Sequence, residues 1–464
     1  MRRMQGTYPV TFDLLWAWTM CSLGRAGKAG KERSVKTVKR MLHALTALVV
    51  MASAAHAGSL GLPVGVGPIG PVSLPGTGIV PGVLNSTTGT LDSTLGIVRD
   101  TVGRPQHTAS FDKDVQGFKV LRQTVLALSP SDQSLSIAKG LSFQIIRQQD
   151  IASLGLTVVQ LRAPENLDST QALSLLRRAD PSGTYDYDHI YNPSGETQTA
   201  AIAPAQPETQ PDTKLRIGMI DGGIDRHNGE FADATILARN FASDKNNVPT
   251  EHGTAVASLL VGRDGQGSLP SAELYAADVY GGEASGGAAD DIARALGWLA
   301  QNNVPVANIS LAGPPNIILE ASVKAFLRRG NIIVAAAGND GPAAPAEYPA
   351  AYDGVAAVTS VDDDHAIQMD ANQGPQIAFA SLGVRRRVAA MKGGHATVTG
   401  TSYASPLVAV RFAVLLKQPD PVAARAAWAA LEHEAIDLGK PGRDPVFGYG
   451  YLAPLNASRA VASQ

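Results

Sequence analysis

From residue 214 onward, short apolar runs alternate with helical stretches, and this rhythm constrains the fold of the 464-residue chain more than any other feature. Strands are expected at 214–221, 273–280, 304–311, 331–337 and 354–361, with helices at 290–302 and 317–329 between them. Strands joined through helices need crossover connections, so the sheet should be mostly parallel, with helices flanking it. Reactive groups on such sheets gather at the carboxyl ends of the strands.

Four polar residues fall where that architecture would bring them together. The first strand delivers Asp221 into the turn Asp221-Gly222-Gly223-Ile224-Asp225. His252, in Glu251-His252-Gly253-Thr254, opens an apolar helix. Asn339 ends the strand Ala335-Ala336-Ala337-Gly338. Ser402 lies in Gly400-Thr401-Ser402-Tyr403-Ala404-Ser405-Pro406, directly before Leu407-Val408-Ala409-Val410, which reads as a buried helix. At that helix start, unpaired N–H groups favour a developing negative charge. Pro406 is expected in the first turn, where its missing N–H costs little. A hydroxyl nucleophile needs a base, and an imidazole needs a carboxylate to hold its tautomer.

Taken in the order Asp, His, Asn, Ser, these blocks resemble the subtilisin-like serine peptidases, or subtilases. The resemblance covers about half of the chain. It implies that Asp221 orients, His252 acts as base and acid, Ser402 is the nucleophile and Asn339 donates to the oxyanion. His252 follows Asp221 by 31 residues and Ser402 follows His252 by 150, which suits compact family members. Two positions depart from the family pattern: Ala255 where a second histidine is usual, and Gly222 where Thr or Ser is. Neither supplies a catalytic atom, so altered packing with retained activity is expected.

The resemblance extends to substrate binding. Ser310, Leu311, Ala312 and Gly313 are similar to the family's backbone strip, which pairs with an extended peptide; Tyr280-Gly281-Gly282 and Ser285-Gly286-Gly287 are similar to the opposite strip. Tyr348-Pro349 is similar to a dipeptide near the floor of the first specificity pocket, which puts Glu347 at its base and Asp340 at its rim. A carboxylate there would favour Lys or Arg before the scissile bond. No cofactor is expected, with calcium left possible. Calcium, common in the family, has no candidate ligands: the link 261–267 is short and holds one carboxylate, and 362–364 with Asp370 read as a solvated acidic face.

Upstream, 118–195 reads β-α-β-β-α-β, with strands near 124–128, 142–146, 156–161 and 185–191 and a helix capped by Asp168. This is a small ferredoxin-like α+β domain. Ahead of a subtilase it looks like the family's propeptide, an intramolecular inhibitor and folding chaperone. The stretch from Asn192-Pro193-Ser194-Gly195 to Thr213, rich in Pro, Thr, Gln and Ala, would be the exposed segment cut during maturation, with 196–213 as the maturation linker and 214–464 as the peptidase domain.

The first 57 residues carry nine Lys/Arg against two acids, leaving 30 basic and 39 acidic residues beyond them. That balance offers nothing to nucleic acid or anionic lipid. Lys36-Thr37-Val38-Lys39-Arg40, the apolar 41–54 and Ala55-His56-Ala57 read as a secretory signal cut near Ala57, for a secreted or periplasmic product. Residues before 36 have no place in such a signal, and an upstream misread start would account for them. The segment 58–117 is expected to be flexible, because 58–84 holds eight Gly, five Pro and no charge. The single cysteine, Cys21, precedes the cut, which excludes disulfides and thiol chemistry in the product. The expected partners are polypeptide substrates and the chain's own prodomain, with no stable membrane insertion. An acyl-enzyme could also pass to an amine, so a transpeptidase or macrocyclase stays open, as does a silent peptide-binding relative.

Overall fold

The computed structural model describes residues 111–198, 215–242, 248–263, 265, 267–281 and 286–455, together with a hairpin of Ile97–Arg99 and Pro105–His107. The expected signal, most of the Gly/Pro-rich segment and the linker from 199 lie outside the described residues.

The N-terminal unit is ordered from Phe111, ahead of the expected start at 118. Strand β1 (Phe111–Lys113) pairs with β2 (Lys119–Leu128), and α1 (Asp132–Gly140), β3 (Gln144–Ile151), β4 (Leu156–Arg162), α2 (Ser169–Ala179) and β5 (Thr184–Pro193) follow. The antiparallel order is β5-β2-β4-β3. Helix starts are chemically marked: Ser131 accepts from the Ser134 amide, and Asp168 forms a capping box with Gln171. Alternation along the strands sorts the two faces. Val125, Ala127, Val159, Leu161, Tyr185 and Tyr187 form a core of the unit's own, whereas Leu126, Ile151, Val158 and Tyr191 join a core cluster of the C-terminal unit.

The C-terminal unit is built on seven strands in the order β8-β9-β7-β11-β13-β14-β15: β7 (Arg216–Asp221), β8 (Thr235–Asn240), β9 (Glu273–Asp278), β11 (Val306–Ile309), β13 (Ile332–Ala336), β14 (Ala356–Val361) and β15 (Ile377–Leu382). Every pairing in this sheet is parallel. The expected α/β class with a parallel, helix-flanked sheet is therefore present, and β8 and β15 add to the five strands expected from sequence. On one face Ile217, Met219, Val306, Ile332 and Val334 pack with helices α3 (Glu251–Val261), α6 (Thr401–Leu415) and α7 (Pro421–Glu434). On the other, Ile220, Ile309, Ile333 and Ala335 meet α4 (Ala289–Gln301) and α5 (Ile317–Arg328).

Helix α6 is buried from Thr401 to Ala413, which explains a sequence apolar on every side. Pro406 is its sixth residue, so it lies beyond the first turn expected for it. A helical residue there would donate its N–H to the carbonyl of Ser402. The Ser310 hydroxyl takes that place, donating to Ser402 O at 2.9 Å. The proline is tolerated because Ser310, the residue after β11, supplies the missing donor.

Candidate active site

Asp221, His252, Asn339 and Ser402 converge at the carboxyl edge of the parallel sheet. Asp221 ends β7 and is fully buried; its Oδ1 accepts from the Gly222 amide at 2.7 Å and lies 2.8 Å from Nδ1 of His252. His252 occupies the first turn of α3, whose start is fixed by the Thr250 hydroxyl accepting from the Gly253 amide. Its Nε2 is buried with no hydrogen-bond partner. The Ser402 hydroxyl donates to the Ser310 carbonyl at 3.1 Å, so the imidazole is left unpaired on the side where a base would receive a proton.

Asn339 is oriented through its other end. Its Oδ1 accepts from Gln368 Nε2 at 3.0 Å and from the Thr401 amide at 3.1 Å, which leaves Nδ2 as the buried end with no partner. Gln368 and Thr401 carry no sequence signal of their own, since their contribution is to hold another side chain. A buried chain backs the nucleophile turn: Ser405 Oγ donates to Asn308 Oδ1 at 2.9 Å, and Asn308 Nδ2 donates to Ser310 Oγ at 2.9 Å.

The chain's own strand runs through this site. The end of β5 pairs antiparallel with β10 (Gly287–Ala288) on one side, joining Tyr191 to Gly287, and with β12 (Leu311–Ala312) on the other, joining Pro193 to Leu311. The Ser194 amide donates to Ser310 O at 3.3 Å, and the Ser194 carbonyl accepts from the Ser402 amide at 3.0 Å. Beyond Gly195, β6 (Glu196–Gln198) pairs with β17 (His395–Thr399), which itself pairs with β16 (Arg386–Ala389). The peptide bond held at Ser402 is thus Ser194–Gly195.

Ser310 pairs with the chain's own strand through the Ser194 amide, and Leu311 and Ala312 pair with Pro193 and Asn192. Gly313 instead pairs with Tyr348, and its missing side chain makes room for the Tyr191 ring. Gly281 does not belong to the opposite strip: its amide is taken by Asp278 Oδ1 at 3.0 Å, in a turn that also captures the Tyr280 amide. Gly287 and Ala288 serve there, while 282–285 lie outside the described residues.

Glu347 and Asp340 line a cavity of 330 Å³ beside Ser194, together with Asp370 and Arg385. Burial, reinforced by the Asp340 charge, pushes the Glu347 carboxyl up to about 7, against an opposing hydrogen bond from Asn372. Among the described residues no group of three His, Cys, Asp or Glu side chains is positioned to hold a metal. After α3 the Ser268 hydroxyl lies within hydrogen-bond distance of the carbonyls of Gly262 and Gly265.

The two units meet through buried polar groups. Asp186 Oδ2 accepts from the Ile317 amide at 2.8 Å, at the start of α5, and Asp188 Oδ1 accepts from the Asp290 amide at 3.2 Å, at the start of α4. Helix α4 has no side-chain cap of its own, so Asp188 supplies one from a distant segment. Arg147 reaches Asp290, and His189 Nδ1 lies 3.1 Å from Asn316 Nδ2.

Residues 212–450 match the sequence model of the subtilase family, Peptidase_S8. Subtilisin BL from Lederbergia lenta is 33% identical over 259 residues, spanning 53% of this chain and 91% of that protein. The minor extracellular protease Epr of Bacillus subtilis (strain 168) is 30% identical over 244 residues, 51% of this chain and 37% of that longer relative. The crystal structure of fervidolysin from Fervidobacterium pennivorans, a keratinolytic enzyme related to subtilisin, is similar at a TM-score of 0.60 and 17% identity, over 73% of this chain and 61% of its own. At that identity the likeness speaks for the fold.

Proposed function

Because this chain belongs to the subtilase family, a family of serine endopeptidases, we propose that it is made as a secreted zymogen that cuts its own Ser194–Gly195 bond and then hydrolyses other polypeptides. The observation that carries this reading is the Ser194 carbonyl, which accepts the Ser402 amide while its strand pairs on both sides. The bond lies at the front of the stretch from Asn192 to Thr213 that composition suggests for the cut.

The chemistry follows from the groups present. Ser402 Oγ attacks the Ser194 carbonyl carbon as its proton passes to His252 Nε2, and Asp221 stabilises the resulting imidazolium. The oxygen that becomes negative meets the Ser402 amide and, in reach of the same position, Asn339 Nδ2. Collapse breaks the bond to Gly195, whose nitrogen takes the proton from His252. Water then adds to the acyl-enzyme by the reverse proton path, freeing the Ser194 carboxylate and restoring Ser402. The N-terminal unit, left docked along the cleft, acts as a product-like inhibitor.

Export is supported by the signal-like 36–57 segment and by extracellular relatives; among the described residues no helix is long and apolar enough to cross a membrane.

The test is full-length protein beside Ser402→Ala, with mass spectrometry of the products. Wild type should yield a fragment beginning at Gly195 and then hydrolyse casein, and the variant should do neither. Wild type that stays intact and inactive would refute the reading. Added amine nucleophile that diverts most product into new amides would favour acyl transfer over hydrolysis.

A further inference from the structure

We propose that the cavity beside Ser194 is built for a long cationic side chain, so that the processed enzyme cleaves other polypeptides after Lys or Arg. The inference rests on the peptidase reading above and names its substrate class.

The chain's own residue uses this space poorly. Ser194 is 5% exposed and its Oγ has no hydrogen-bond partner, although it faces a cavity of 330 Å³. Gln368, 6% exposed, spends Nε2 on Asn339 and Asp370, and its Oε1 is likewise buried with no partner. Two buried polar atoms of the lining residues, Ser194 Oγ and Gln368 Oε1, are thus left without partners.

The charge of the lining points the same way. Three carboxylates, those of Asp340, Glu347 and Asp370, face the cavity against one guanidinium, that of the exposed Arg385. Glu347 is the half-buried member, with Asn372 Nδ2 donating to its Oε2 at 3.1 Å. Gly338 leaves the room this carboxylate occupies: its φ is +108°, and a Cβ there would overlap Glu347 Oε2 and lie 2.6 Å from Asn372 Nδ2. An apolar side chain in the pocket would strip water from these oxygens and offer them nothing. A Lys or Arg stem can lie along Ala312 while its head pairs with Glu347.

The tolerance of serine at the chain's own junction follows from the tether. An intramolecular strand paired on both sides needs no help from a side-chain pocket, because its effective concentration is high and Tyr191 is already buried. A free polypeptide has no such advantage and depends on the pocket.

The pocket also carries its own pH signature. Glu347 holds its proton up to about neutrality through burial and the neighbouring Asp340. Ionisation above that range strengthens the attraction for a cation, with Asp340 and Asp370 adding to it and Arg385 opposing it.

The experiment uses self-processed full-length protein and Tyr-Asn-Pro-X-Gly peptides in which X is Arg, its neutral isostere citrulline, or Ser. Comparing kcat/KM for Arg against citrulline at each pH cancels the titration of His252, which both substrates share. Expected is a ratio of about tenfold or more at pH 8.5, the scale of one charge-assisted hydrogen bond, falling toward unity at pH 5.5. Glu347→Gln should flatten that rise, and the exposed Asp340→Asn should lower the ratio at pH 8.5. A wild-type ratio at or below one at pH 8.5, with the Ser peptide cleaved, overturns the pocket assignment and leaves the peptidase standing. Wild type that cleaves no peptide removes both.

Discussion

The two halves bury their sheets in opposite ways. The C-terminal sheet is covered on both faces by helices of its own, so its strands are apolar nearly throughout. The N-terminal sheet has helices on one face only. Its other face, with Leu126, Val158 and Tyr191, is completed by the larger half. A small domain with half a core has little stability to spare on its own. The lesson is that the N-terminal unit is shaped as a complement to the cleft side of its neighbour, and its fold and its docking are one property.

The most drastic way to break this comparison is to keep the halves joined. Ser402→Ala should abolish self-cleavage and lower peptide turnover by about 10⁵- to 10⁶-fold, read by mass spectrometry and kinetics, with the fold intact by circular dichroism. Asn339→Ala should come next, costing about 10²- to 10³-fold in kcat, because one oxyanion donor is lost while Ser402 and His252 remain.

A gentler perturbation targets the shared face. Leu126→Ala should weaken binding of the excised N-terminal unit to the processed enzyme by about 2–5 kcal/mol, measured as inhibition in trans. Val125→Ala, on the unit's private face, should unfold that unit with less effect on the contacts themselves; equal behaviour of the two would erase the distinction.

The smallest expected effect sharpens the docking chemistry. Burial and the Asp290 charge raise the Asp188 carboxyl well above its ordinary range. Asp290, Asp291, Arg147, Arg294 and Gln160 all face this cluster. The sign is set by linkage: the docked state binds a proton that the separated unit releases, so that stabilisation is present in acid and is lost as pH rises through the raised value. Inhibition by the N-terminal unit should therefore weaken from pH 5 to pH 8, and Asp188→Asn should flatten the change.

Much of this was legible in the sequence for identifiable reasons. The five strands named in advance are apolar runs, and the four reactive residues each sit beside a glycine or open a helix. Strand β8 was missed because its residues alternate between half-buried and exposed at an edge of the sheet. Gly281 was misassigned because a glycine-rich turn and a glycine-rich strip look alike until Asp278 is seen capturing the amides. Composition marks an exposed stretch for the cut from Asn192 to Thr213 and cannot resolve one bond within it, whereas the Ser194–Gly195 bond proposed for cleavage is positioned by strand register. Gln368, Asp186 and Asp188 act only through partners distant in the chain, which no local pattern records.

Asp188 capping α4 has a consequence for life after processing. If the N-terminal unit leaves as proposed, α4 loses the Asp188 carboxylate from its first amides, and Asp290 keeps Arg294 without Arg147. This helix follows directly on Gly287–Ala288, one wall of the groove. On the proposed processing, the rim would lose this support just as it takes up other polypeptides, trading a preset mould for a jaw with give.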